Sequence, residues 1–391
     1  MTSQIRSLSL STICQILLLT LSISIKSLAN SPEKKTSAFF IFGDSTVDVG
    51  NNNYIDTLVM SKANMPPYGQ NFFNKPTGRF SNGRLVVDFI AEYAELPLIP
   101  PSKQPSSKFI NGANFASGGA GVLPETYQGF VIDFPTQLEQ FNSVVSLLTA
   151  ELGDAEAREL IANAVYFISI GSNDYLYYLG SPKVQEIFTP EDIIAMVIGN
   201  LSEAIQGLYE KGARKFGFLS TSPLGCLPAI RAANRKADGS CFEDFSALAL
   251  AHNNALYGVL LSFEHILKDF KYAFSSGHYS WLHEVIHNPT KFGFKDGINA
   301  CCGTGLYGGI YSCGGNKEVA EYELCNSPDD FVFWDSFHGT EKLAKKLADK
   351  LWEDQPNSVG PYNLKELFFN QEKSRIEDIV EAKENLEAFA M

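Results

Sequence analysis

The chain has 391 residues, with 44 acidic against 31 basic side chains and a formal net charge of −13. That balance leaves no basic stripe to neutralise phosphates, so nucleic acid is excluded as a partner. A hydrophobic fraction of 45% supplies a large core, and the length alone would allow two domains.

At the N-terminus, Arg6 precedes a mostly apolar run over residues 8–25, and Ser27-Leu28-Ala29 offers small residues where a signal peptidase reads. Residues 1–29 are therefore expected to be a signal peptide, and the mature chain soluble and secreted to the extracellular space. Its removal takes Arg6 and Lys26 but no acid, which moves the net charge from −13 to −15. No later stretch is long and apolar enough to span a bilayer, so no stable membrane insertion is expected.

Apolar runs then alternate with longer helix-spaced patterns, the signature of βα units around a parallel sheet. Strands are predicted at 38–42, 112–116, 164–170, 215–219 and 271–274, and helices at 84–94, 135–148, 190–211 and 242–268. In the third helix Ile193, Ile194, Val197, Ile198, Leu201, Ile205 and Leu208 recur at helix spacing and give one apolar face. There is no repeat and no internal linker, so one α/β domain over residues 30–370 is the simplest organisation. Residues 51–82, rich in Asn, Pro, Gly and Phe, read as a long loop over the first strand's end. Residues 371–391 read as an acidic, helix-prone tail.

Cys14 leaves with the signal segment, and six cysteines remain: Cys226, Cys241, Cys301, Cys302, Cys313 and Cys325. An even count in an exported chain predicts three disulfides, with Cys226–Cys241 the expected local pair. Zinc at the 301–325 cluster is disfavoured, because no Cys-x-x-Cys pair and no ligating histidine accompany it. Asn200-Leu201-Ser202 is the one glycosylation acceptor; Asn288-Pro289-Thr290 is excluded by its proline.

The chemistry concentrates at strand ends. The first strand stops on Gly43-Asp44-Ser45, and an open α/β sheet carries its sites at the carboxyl ends of its strands. A serine needs a base, a group to hold that base, and donors for the tetrahedral oxyanion. His338 offers the base, since histidine ordinarily titrates at about 6.5. Asp335 lies one turn before it if that stretch is helical, close enough to fix the imidazole tautomer. Ser117-Gly118-Gly119-Ala120-Gly121 and Gly171-Ser172-Asn173-Asp174 end two further strands with backbone N–H groups and an amide. No Gly-x-Ser-x-Gly elbow occurs, which argues against an α/β-hydrolase fold. A rival pattern, His283-Glu284-Val285-Ile286-His287, matches the zinc-protease His-Glu-x-x-His, but Asn288-Pro289 ends its helix at once. No metal and no cofactor is expected.

Phe42-Gly43-Asp44-Ser45 with Asp48, Gly50 and Asn51-Asn52-Asn53 resembles the first block of the plant GDSL esterase/lipases, a branch of the SGNH hydrolases. Residues 76–84, 114–121, 171–174, 223–228, 300–303 and 335–338 are similar to that family's later blocks, so the resemblance runs from about residue 37 to 369. It implies a three-layer flavodoxin-like SGNH hydrolase fold with a central parallel sheet, and serine hydrolysis of a small-molecule carboxylic ester. By position it makes Ser45, Asp335 and His338 catalytic and assigns the oxyanion hole to Ser45, Gly118 and Asn173. Acyl transfer to an alcohol is the alternative that uses the same residues; ligand binding on a retired scaffold and zinc-protease chemistry at His283, Glu284 and His287 are the remaining ones. No substrate and no oligomeric state is read from the sequence.

Overall fold

The computed structural model describes residues 37–234, 238–315, 317, 319–354 and 358–369. The expected signal peptide and the acidic tail lie outside the described residues. Five strands run parallel: β1 (Phe39–Gly43), β2 (Gly112–Asn114), β3 (Val165–Ser169), β4 (Lys215–Phe218) and β5 (Lys271–Phe274). Their spatial order is β2-β1-β3-β4-β5, the flavodoxin-like order, whose direction of winding reverses between β1 and β3. Two short ribbons stand apart, β6 (Asp296–Ala300) beside β9 (Phe331–Phe333) and β7 (Cys302–Gly303) beside β8 (Glu323–Leu324). β10 (Gly360–Pro361) closes the main sheet antiparallel to β5.

Strand alternation explains the three layers. Phe40 and Phe42 of β1 point into one apolar cluster with Tyr166, Ile168, Phe216 and Phe218. Helices Phe134–Leu152, Pro190–Glu210 and Glu243–Ile266 cover that face. Phe39, Ile41, Val165 and Phe167 point the other way, against helices Val86–Tyr93, Glu341–Glu353 and Leu364–Phe369. Both faces of β1 are sealed, and burying each of its phenylalanines contributes about 1.5–3 kcal/mol. This is why the strand reads as an unbroken apolar run.

The helices begin where capping chemistry allows. Asp133 accepts from Thr136 N at 2.8 Å ahead of Pro135, and Thr189 forms a capping box with Asp192 ahead of the Pro190 helix. The predicted helix at 84–94 begins two residues later, because Arg84 turns outward to Glu341 and Glu92 and Leu85 is its N-cap.

Three disulfides form: Cys226–Cys241, Cys301–Cys325 and Cys302–Cys313. The adjacent pair Cys301 and Cys302 thus ties two separate chain segments to the start of β7. Among the described residues, no helix is long and apolar enough to cross a membrane.

Candidate active site

The register of β1 on β3 sets the geometry. Gly43 is level with Ser169, and Asp44 N donates to Ser169 O at 3.1 Å. A Cβ on Gly43 would lie 2.2 Å from that carbonyl, so only glycine fits where the two strand ends meet. Gln137, fully buried, grips the same residue from behind. Its Oε1 accepts from Gly43 N at 2.9 Å, while its Nε2 donates to Gly43 O at 2.8 Å and to Ile132 O at 2.9 Å. The chain then turns, and Ser45 emerges half-buried at the rim.

His338 comes to that rim from far along the chain. Its Nε2 lies 2.8 Å from Ser45 Oγ, and its Nδ1 lies 2.8 Å from Asp335 Oδ1. A carboxylate can only accept, so Nδ1 carries the ring proton and Nε2 is left to accept from the serine hydroxyl. The three predicted catalytic side chains are therefore brought together.

The Asp335–His338 stretch is a turn rather than the helix that sequence spacing suggested. Trp334 N donates to His338 O at 2.7 Å, and Asp335 Oδ1 accepts from both Phe337 N and His338 N at 2.9 Å. An aspartate bonding the backbone two and three residues on stabilises a local turn that competes with helix. Cys302 N anchors this turn through Trp334 O at 2.7 Å. Phe80 packs on the imidazole with ring centroids 4.8 Å apart.

Burial alone would raise Asp335, but the neighbouring His338, then Lys317 and the Tyr68 hydroxyl, hold it down at about 2. Neither Tyr68 nor Lys317 was singled out from the sequence. Tyr68 donates to Asp335 Oδ2 at 2.6 Å, and Lys317 Nζ donates to the Tyr68 oxygen at 2.9 Å. An aromatic in a Pro-Pro-Tyr-Gly loop carries no signal of this contact.

Residues 51–82, expected as a loop over the serine, are in good part buried structure. Asn51 Nδ2 donates to Asn114 O at 2.8 Å and Ala116 O at 2.9 Å; Asn52 Nδ2 donates to Gly118 O at 2.8 Å and Ser61 O at 2.7 Å. These amides brace the segment after β1 against the one after β2.

The bracing bears on the expected oxyanion donors. Gly118 N donates to Asp48 Oδ2 at 3.0 Å, a carboxyl that burial pushes up to about 6 against three such N–H bonds. Gly118 therefore has its N–H already spent, whereas Ser45 N and Gly119 N donate to no acceptor among the described residues. Gly119 stands at φ +90°, the left-handed region that glycine tolerates, with Val131, Ser61 and Tyr127 around it. Asn173 uses one amide hydrogen on Ala120 O at 3.0 Å and keeps the other. Its neighbour Asp174 faces inward, accepting from Val122 N, Leu123 N and Thr126 Oγ1, and burial pushes it up to about 6.

A cavity opens beside the triad outside the carboxyl ends of β3, β4 and β5. His338 and Thr46 line it, and Leu219, Leu227, Leu282, Ile286, Phe333 and Phe337 give it an apolar wall.

The rival zinc motif is arranged otherwise. Glu284 pairs with Lys291 at 2.5 Å, and His287 Nδ1 turns back to His283 O at 2.8 Å. Cys226 Sγ lies within 4.8 Å of ring nitrogens of both histidines and Cys241 Sγ 3.9 Å from His287 Nε2, but the two cysteines are bound to each other in a disulfide and offer no thiolate. The expected acceptor Asn200 is exposed on helix Pro190–Glu210, with Nδ2 donating to Met196 O at 2.9 Å.

Comparison with known proteins agrees with this architecture. The profile of the GDSL-like Lipase/Acylhydrolase family matches residues 39–351. The chain belongs to that family. It is 47% identical to GDSL esterase/lipase 5 of Arabidopsis thaliana over 347 residues, 87% of this chain and 90% of the relative. It is 46% identical to GDSL esterase/lipase 1 of the same plant over 337 residues, 85% and 90% of the two chains. To the GDSL lipase of Tanacetum cinerariifolium it is 42% identical over 335 residues, 86% and 88%. The enzyme is accordingly a carboxylic ester hydrolase of the GDSL type.

Proposed function

We propose that the enzyme hydrolyses small-molecule carboxylic esters through an acyl-enzyme on Ser45. One observation carries this reading: a single imidazole lies 2.8 Å from the serine hydroxyl on one nitrogen and 2.8 Å from a buried carboxylate on the other. Ser45 Oγ attacks the ester carbonyl carbon while its proton passes to His338 Nε2. The tetrahedral adduct collapses, the C–O bond to the alcohol breaks, and Nε2 returns the proton to the leaving oxygen. Water then attacks acyl-Ser45, again through Nε2, releasing the acid and restoring the serine.

The oxyanion would be met by the N–H groups of Ser45 and Gly119 and by the free amide hydrogen of Asn173. Gly119 replaces Gly118 here because the Gly118 N–H serves Asp48. The mature enzyme is taken to be exported with residues 30–370 as its hydrolase domain, a reading supported by the signal-like N-terminus and three disulfides. Asn200, exposed in an Asn-Leu-Ser acceptor, fits glycosylation on that route.

Labelling with an alkyl phosphonate tests the chemistry directly. One equivalent should add to Ser45 and none to Ser45→Ala, which should also lose hydrolysis of p-nitrophenyl esters. A crystal of the adduct should place the phosphonyl oxygen about 2.7–3.1 Å from Gly119 N. An oxygen bonded to Gly118 N instead would return that role to Gly118.

A further inference from the structure

The Asp335 carboxylate is fully buried and its two oxygens are held differently. Oδ1 takes two backbone N–H groups and the imidazole, all within its own turn. Oδ2 shares the imidazole Nδ1 at 3.0 Å and takes the hydroxyl of Tyr68, 267 positions away in sequence, at 2.6 Å. From the geometry we infer that Tyr68 is a positioning residue for the triad acid, and that Lys317 supports the triad both through the Tyr68 hydroxyl and by its own charge; this rests on the Ser45 reading above.

The direction of the hydrogen bonds follows from the chemistry. An ammonium has only donors, so the Tyr68 oxygen accepts from Lys317 and its own proton is committed to Asp335. Burial, and then the charge of Asp335, keep the Tyr68 hydroxyl protonated far above neutral pH, so it remains a donor wherever the enzyme works. The ring cannot drift, because Phe80 and Trp334 pack edge-on at 6.3 and 6.1 Å.

Lys317 sits in an aromatic enclosure, 3.6 Å from the Tyr311 ring centroid and 4.8 Å from that of Tyr68. Burial lowers it to about 7, with Asp335 pulling the other way, so its charge is present below neutrality and fades above it. The titratable groups facing Asp335 are thus His338 from its own turn, Tyr68 from the segment before Phe80, and Lys317 from beyond Cys313. Tyr311 faces Tyr68, and Asp44 faces His338 from the β1 turn.

The Tyr68 proton and the Lys317 charge both draw negative charge away from the imidazole. Removing either leaves Asp335 a stronger attraction for a proton on His338, so the inactive imidazolium persists to higher pH. In Tyr68→Phe, which keeps the ring, kcat should fall roughly tenfold. The KM for p-nitrophenyl butyrate should stay near wild type, and the acid limb of kcat/KM should move to higher pH. Lys317→Gln should move the limb the same way. The double variant should move the limb at least as far as Tyr68→Phe, because the lysine also acts on Asp335 by its charge.

A Tyr68→Phe limb superimposed on wild type, whatever its rate, would overturn the inference. Should Tyr68→Phe fail to fold, Lys317→Gln decides alone, and an unmoved limb there has the same force. Ser45→Ala separates the two levels: residual hydrolysis would sink the serine mechanism itself. An inactive Ser45→Ala with an unmoved limb in Tyr68→Phe sinks only the role of Tyr68.

Discussion

The two halves of the triad are held by different physics. Ser45 sits at the end of a five-residue strand sealed on both faces by aromatic side chains, and its place follows from sheet register and a glutamine grip. Asp335 and His338 sit on a turn outside that sheet, between short ribbons, where two disulfides and an aspartate-capped loop do the holding. Apolar burial sets the strand that carries the proposed nucleophile, with the Gln137 grip added at its end, while covalent ties and buried hydrogen bonds set the proposed acid and base. The first kind of order tolerates substitution by similar volume; the second depends on individual atoms.

That contrast can be broken most sharply at Asp335. Asp335→Asn preserves shape but offers an N–H to the imidazole, inviting the wrong tautomer, and kcat should fall by about 10³–10⁴ with the fold intact by circular dichroism. On the nucleophile side, Gln137→Leu keeps volume but orphans the Gly43 N–H, and should cost about 1–3 kcal/mol in urea unfolding together with a fall in kcat. Loss of activity without loss of stability there would contradict the hydrogen-bonded hold of Gln137 on Gly43.

Disulfides sharpen the contrast further. Replacing Cys302 and Cys313 by serine opens an 11-residue loop, and replacing Cys226 and Cys241 opens a 15-residue one. Each should cost about 2–4 kcal/mol. Only the first frees the segment carrying Tyr311 and Lys317, so only it should lower kcat well beyond its effect on stability.

The smallest effect is in pH dependence. His252 and His278 are lowered to about 4 by burial, so the unfolded chain binds their protons first and stability is lost as pH falls from about 6.5 through 4. Asp48 and Asp174, raised to about 6, act with the opposite sign, favouring the folded state as pH falls from about 6 toward 3.8. The wild type should therefore show little net slope between pH 4 and 6. His252→Gln, freed of one destabilising proton, should become more stable on acidification by urea titration, relative to its own value at pH 7.

What could be read from the sequence divides along the same line. β1, β3, β4 and β5 are continuous apolar runs because both sheet faces are covered, and they were visible as such. The Gly-Asp-Ser end, the Asp335/His338 pair and the Cys226–Cys241 link were legible as well. β6 to β9 were not, since two- to five-residue strands with mixed burial carry no periodicity. The spacing of Asp335 and His338 suggested a helix because three residues bring side chains together in a turn equally well. Gly118 and Gly119 are indistinguishable until the Asp48 carboxylate claims one of them. Tyr68 has no local mark at all, for its partner is a carboxylate that only the tertiary fold delivers.

Ser45 and His338 are separated by 293 positions, and most of the sheet is threaded between them. At ribosomal speeds of about 5–20 residues per second, the serine waits roughly 15–60 s for its base to be synthesised. Throughout that interval the nascent chain carries an unactivated alcohol at the end of an unfinished sheet. Synthesis order thus acts as a built-in delay, because the serine can meet its proposed base only after residue 338 has been made.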